Sequence, residues 1–188
     1  MKNDVLDLQD GTIEVFLNHG VTAIIDKKDM AAIQPFNWYA KLSSGQWYAC
    51  AAVYDKTTGR ARTIWMHRLI LPGVRQVDHA NHNSRDNRRE NLRPCTQSQN
   101  RANSLWNVKT KTSRHKGVAL KGNRWRAQIR VGGHDIHLGY FSSEVAAAHM
   151  YDQAAREHFG EFALCNFVAS IAALAPTKGA NDGEDAED

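Results

Sequence analysis

An Asp-His pair, Asp78-His79, heads a run otherwise built from amides and arginines, "VDHANHNSRDNRRENLRPCTQSQN", Val77 to Asn100. The run has almost nothing to bury in a core. It does have what cleavage of a phosphodiester needs: a base to activate water, and oxygen ligands for a hard cation that offsets phosphate charge. His79 is a base whose ordinary pKa lies near neutrality. Asp78 and Asn100 each offer one oxygen ligand of the kind Mg²⁺ prefers while it keeps several waters. Adjacent residues of an extended strand face opposite ways, so Asp78 and His79 serve one site only across a bend or twist. A neutral His is a directional base when its second ring nitrogen is held, and the Asn91 amide is the candidate for that role. Asn81, Asn83, Asp86, Asn87 and Asn103 read as turn and cap residues, because Asn and Asp bond their own backbone in such loops.

The charge distribution points to the substrate. Residues 1–59 carry 5 Lys/Arg and 7 Asp/Glu, residues 60–130 carry 17 and 3, and residues 131–188 carry 2 and 10. The middle block is therefore +14 inside a chain of net charge +4. Its cations are mostly Arg, which matches phosphates and guanine edges bidentately, and they alternate with Trp65, Trp106 and Trp125. Nucleic acid is the expected partner. No apolar run approaches the ~20 residues of a membrane helix, and the first residues lack a signal-peptide pattern. Three separated cysteines without a C-x-x-C pair fit a reducing compartment, and a cytoplasmic location is expected.

With its spacing, "MHRLI…VDHANHNSRDNRRENLRPCTQSQN" resembles the His-Asn-His (HNH) endonucleases, in the branch of phage and intron homing enzymes where Asn replaces the last His. Asp-His, a short turn, Asp-Asn-Arg, Glu-Asn-Leu and Ser-x-Asn stand here in family order. The resemblance implies a ββα-metal unit: a first strand ending at Asp78-His79, a second around residues 91–93, and a helix from about Thr96. It makes His79 the general base. It makes Asp78 and Asn100 the ligands of one divalent metal, Mg²⁺ or Mn²⁺, and Asn91 the residue that orients His79 and pins the loop. Arg88 and Arg93 are phosphate holders by chemistry. His82 stands where the family has Gly.

The elements around this run fall on both sides of it. Upstream, "TIEVFL", "VTAII", "WYACAAVY" and "RTIWMHRLIL" are rich in β-branched and aromatic residues and predict a small antiparallel sheet over 12–70, with His67 as a structural residue of its last strand. Downstream, "KGVAL", "RWRAQIRV" and "DIHLGYF" predict three strands joined at Gly122-Asn123 and Gly132-Gly133. A helix capped by Ser142 then runs to Gly160, its alanines letting it lie close on a sheet. Period-two alternation puts Arg124, Arg126, Gln128 and Arg130 on one polar face and Trp125, Ala127, Ile129 and Val131 on the other.

These pieces, with Lys116-Gly117-Val118, Leu138-Gly139-Tyr140-Phe141, Tyr151-Asp152 and Asn166-Phe167, resemble the AP2 (ERF-type) DNA-binding domain. That resemblance implies a sheet laid in the major groove, with Lys116, Arg124, Arg126, Gln128 and Arg130 as DNA contacts. Ala119 and His137 replace an Arg and a Trp of many members, so their target sequence does not carry over.

The expectation is an α+β chain: an N-terminal β module (1–70), an HNH ββα-metal unit (71–103), a basic linker (104–113), an AP2-like three-stranded antiparallel sheet packed on one helix (114–167), and a tail (168–188) acidic and disordered at its end. The expected function is hydrolysis of duplex DNA to 5′-phosphate and 3′-hydroxyl ends by a homing-type enzyme, without a nucleotide cofactor or a membrane. A monomer with one site would nick. The rivals are a DNA-binding regulator with an inactive nuclease unit and a nuclease that reads DNA structure.

Overall fold

Residues 12–70, expected as one antiparallel sheet, form parts of two. The computed structural model describes residues 3–105 and 112–167. Most of the expected linker and the whole expected tail lie outside the described residues. Strands β1 (Val5–Asp7), β2 (Thr12–Phe16) and β3 (Thr22–Asp26) pair antiparallel in that order. The short helix α1 (Met30–Ile33) leads to β4 (Trp38–Ser43), β5 (Gln46–Asp55) and β6 (Arg60–Trp65), a second antiparallel sheet. Alternation along the strands turns Ile13, Val15 and Ile25 of the first sheet and Trp38, Ala49 and Ala51 of the second into one shared core.

The stretch "RTIWMHRLIL" corrects the expectation of a single strand. The chain leaves β6 at Trp65 and turns into helix α2 (Met66–Ile70). The β-branched run stops at Ile64, and Met66, Arg68 and Leu69 are good helix formers. Met66 and Ile70, one helical turn apart, both bury in the shared core.

Strands β7 (Val77–His79) and β8 (Leu92–Pro94) form a two-stranded antiparallel ladder, followed by helix α3 (Gln97–Asn103). Thr96 starts α3 with a capping box: its side chain accepts from the Gln99 N–H, and the Gln99 side chain accepts from the Thr96 N–H. The loop between β7 and β8 is tied to the N-terminal sheets. Ile24 N–H donates to the Arg85 carbonyl at 2.9 Å, and Asn87 N–H donates to the Ile24 carbonyl at 2.7 Å. The Ser84 hydroxyl donates to the Trp47 carbonyl at 2.7 Å, and Arg89 pairs with the buried Asp29 at 2.6 Å. The N-terminal sheets thus serve as the wall on which the polar loop is mounted.

Strands β9 (Val118–Lys121), β10 (Arg124–Val131) and β11 (His134–Phe141) make an antiparallel sheet with β10 in the centre, and helix α4 (Glu144–Phe159) covers one face. Ala127 meets Ala147 and Ala148, and Ile129 packs with Tyr151 and Ala155. Ser143 caps α4, one residue later than expected. Asp152, fully buried, accepts from the Asn166 and Phe167 N–H groups at 2.7 and 2.9 Å and so ties down the segment after the helix.

The helix lies so close that one glycine is obligatory. Gly117 has φ +76°, and a Cβ there would sit 1.9 Å from a Tyr151 ring carbon. Gly122 has φ +59° but open space around it. Gly117→Ala should lower the unfolding free energy by about 3 kcal/mol or more, and Gly122→Ala by about 1 kcal/mol. Urea unfolding of the two variants checks this; equal losses would contradict the packing described.

Candidate active site

The polar run, α2, α3 and β5 converge on one cleft of about 710 Å³. Asp78, His79 and His82 come from β7 and its turn, Asn100 and Asn103 from α3, and His67 from α2. Asp78 and His79, adjacent on β7, both line this cleft. His79 ends its strand, and its carbonyl accepts from the His82 N–H at 3.0 Å to close a turn. His82 carries the left-handed φ of 61° that this turn demands, and it lines the cleft.

Asp78 is 6% exposed. Arg93, its partner in the β7–β8 ladder, donates from Nε to Oδ2 at 2.9 Å and brings Nη2 within 2.9 Å of the same oxygen as an ion pair. The Asn103 amide donates to both carboxylate oxygens at 3.0 and 2.9 Å and reaches the His79 carbonyl at 3.2 Å. Asn103 therefore sets the carboxylate and the start of the turn together. Asn100, one helical turn earlier, is exposed and opens onto the same cleft.

His79 is 8% exposed. Its Nε2 lies 3.5 Å from Asn87 Oδ1, and its ring is flanked by His67 at 5.1 Å and Tyr48 at 6.2 Å between centroids. Burial holds the His79 pKa below its ordinary value, against the opposing pull of Asn87, Asp78 and Asp86. Burial, with the neighbouring His79 and Arg68, pushes His67 down to about 3.

Several expected site residues sit otherwise than the sequence suggested. Asn91 has the expected hold on the loop but not on His79: its Oδ1 accepts from Asn81 N–H at 2.9 Å and its Nδ2 donates to the Asp86 carbonyl at 2.7 Å. With both amide atoms so engaged, the side chain at the His79 ring is Asn87, 1% exposed. Arg88 pairs with Asp86 at 2.8 Å and Glu90 at 2.7 Å, so it closes the loop. Arg93 is engaged on Asp78. Lys116 is 9% exposed; its ammonium donates to the carbonyls of Arg101, Ala102 and Ser104 at the end of α3, which takes it off the DNA face. Arg124, Arg126, Gln128 and Arg130 share one side of β10, opposite the buried Ala127 and Ile129. Arg124 and Arg130 are exposed, and the Arg126 Nε has no acceptor among the described residues.

Asn87 and Asn103 were missed because amides in a turn-rich run all read alike. Their only distinction is burial beside His79 and Asp78. Among the described residues no three His, Cys, Asp or Glu side chains form a metal cage. The donors at hand, one fixed carboxylate and one exposed amide oxygen opening on a wet cleft, suit a hard cation that keeps most of its waters.

Known proteins share these features. The family model for HNH endonucleases matches residues 62–102, from β6 to α3. An HNH endonuclease of Acanthamoeba polyphaga mimivirus, itself described as uncharacterized, is 31% identical over 136 residues, 68% of this chain and 70% of that protein. An ethylene-responsive transcription factor-like protein of Arabidopsis thaliana is 50% identical over 40 residues, 21% of this chain and 18% of that protein. An AP2/ERF and B3 domain-containing protein of Oryza sativa subsp. japonica is 43% identical over 65 residues, 34% of this chain and 18% of that protein. The chain thus spans about a fifth of either plant protein and most of the viral one. With Asp78, His79 and the residues of α3 in one cleft and an AP2-like sheet after them, the chain belongs to the HNH endonuclease family.

Proposed function

We propose that this chain is a metal-dependent DNA endonuclease of homing type that nicks duplex DNA, held there by its AP2-like sheet. The observation that carries the reading is the cleft lined by a buried, amide-clamped Asp78, a buried His79 and the exposed Asn100. A regulator that only binds DNA has no use for that set.

The work is divided among named residues. Asp78 and Asn100 would hold one divalent cation, Mg²⁺ or Mn²⁺. When bound, such an ion supplies charge neutralisation at the scissile phosphate and the departing oxygen. His79 takes a proton from water. The water oxygen bonds to phosphorus as the bond to the 3′ oxygen breaks, and solvent protonates that oxygen, leaving 5′-phosphate and 3′-hydroxyl ends. Asn87 holds the His79 ring, Asn91 and Asp86 hold the loop, and Asn103 fixes the Asp78 carboxylate. The Arg face of β10 supplies phosphate and base-edge donors. A single chain carries one such site and cuts one strand, in the cytoplasm of a host cell.

Supercoiled plasmid, or the genome of the source if the plasmid lacks a site, should become open circle with Mg²⁺ or Mn²⁺ and not with EDTA. His79→Ala should slow that step about a thousandfold. A gel shift with no cleavage in any metal would favour the inactive-nuclease regulator. The acid limb of kcat/KM should have its midpoint below the ordinary imidazole value of 6.5, because the neutral ring is the active form and burial favours it. A midpoint at or above 6.5 would remove His79 from the role. Arg124→Ala and Arg130→Ala should each weaken DNA binding and reduce the slope of log Kd against log salt by about one. Unchanged slopes would place the DNA elsewhere.

A further inference from the structure

A reader domain on a tether needs no contact with the catalytic centre. Here the C-terminal unit grips it. After α4, the turn Gly160–Phe162 lies against Arg93, the residue that holds Asp78. The Arg93 guanidinium stacks 4.0 Å from the Phe162 ring centroid and donates to the Glu161 carbonyl at 3.0 Å. On its other edge Nε donates to Asp78 Oδ2, with Nη2 2.9 Å from the same oxygen. Only 17% of the Arg93 side chain is exposed. The same unit also grips α3, which carries Asn100 and Asn103. Lys116 caps its last carbonyls, Gly132 N–H donates to the Ser98 hydroxyl at 3.2 Å, and Ala102 packs among Tyr151, Phe159 and Phe162.

We infer that the Phe162 ring and the Glu161 carbonyl are positioning groups of the nuclease site, fixing Arg93 and through it the Asp78 carboxylate, so that the C-terminal unit completes the cation site as well as binding DNA. Arg93 has five donors on a rigid plane. Nε donates to Asp78 with Nη2 in ion-pair contact beside it, Nη1 donates to the Glu161 carbonyl, and the face is covered by an aromatic ring. A guanidinium held on three sides cannot swing, and the carboxylate it grips presents its free lone pairs in one direction. Outer partners of metal ligands commonly change metal affinity by about 10- to 100-fold. A ring held over guanidinium also excludes the water that would compete for its donors.

This inference rests on the metal-site reading above, and its test separates the two. Mn²⁺ binding to the full-length chain without DNA is read from the free-ion EPR signal, beside duplex affinity in EDTA and the melting temperature. Wild type should bind Mn²⁺ with an affinity that Asp78→Asn abolishes. Phe162→Ala should weaken Mn²⁺ about tenfold, leave duplex affinity in EDTA within twofold, and be rescued by Phe162→Trp, which restores an aromatic face. If Phe162→Ala melts in the assay range, Phe162→Leu, which fills volume without a π face, takes its place with the same expectation. Wild-type Mn²⁺ affinity in a folded variant lacking the ring overturns the inference and leaves the metal site standing. A wild-type chain without an Asp78-dependent Mn²⁺ site overturns both.

Discussion

The buried Asp78 carboxylate is the constraint to which the other parts answer. A carboxylate that is 6% exposed must be paired, or it destabilises the fold. Two partners meet that demand, Arg93 from the neighbouring strand and Asn103 from the helix behind. Each partner then needs its own support. Asn103 requires α3 at one height and angle, which the Thr96 capping box and the Lys116 ammonium fix at opposite ends. Arg93 requires a surface for its face and an acceptor for its outer edge, and both come from the turn after α4. The ion pair inside the ββα unit is thus supported from the AP2-like unit.

The loop from Ala80 to Asn91 solves a related problem with almost no apolar residues. Asp86, 3% exposed, accepts from Asn81 and Arg88, and its carbonyl accepts from Asn91. Such polar networks are rigid only when nearly every member is satisfied. The stitching of Ile24 to Arg85 and Asn87 supplies backbone partners, and Arg89 on Asp29 adds an ion pair. The N-terminal sheets therefore hold this network in register, and with it Asn87 against His79. His67 and Tyr48, from α2 and β5, complete the wall around the His79 ring.

Much of this was legible in the sequence, for physical reasons that can be named. The β9–β11 sheet was readable because period-two alternation of Arg with Trp, Ala and Ile runs unbroken between two glycine turns, and α4 because its alanines are flanked by a Ser cap and Gly160. The ββα order was readable from the family order of Asp78-His79, Glu90-Asn91-Leu92 and Ser98-Gln99-Asn100, which resembles the HNH endonucleases. The split of the N-terminal region into two sheets was not, because each strand carries the same β-branched signal and nothing local says which partner it takes. Helix α2 was hidden in an apolar run whose period fits either element. The roles of Arg93 and Lys116 were misread because charge alone suggests phosphate, whereas both side chains reach carboxylate or carbonyl partners distant in sequence. The His79 contact fell to Asn87 and not Asn91 for the same reason: tertiary contacts, invisible in a short run of sequence, decide which amide turns toward a ring.

The most direct test of the central claim, that Asp78 and Asn100 form a cation site fixed by both units, is a crystal structure of the full chain soaked in Mn²⁺, read by anomalous scattering. One peak is predicted, within inner-sphere distance of an Asp78 carboxylate oxygen and the Asn100 amide oxygen, with Arg93 still stacked on Phe162. A peak centred on His67 or His82 without Asp78, or no peak in this cleft at saturating Mn²⁺, would contradict it.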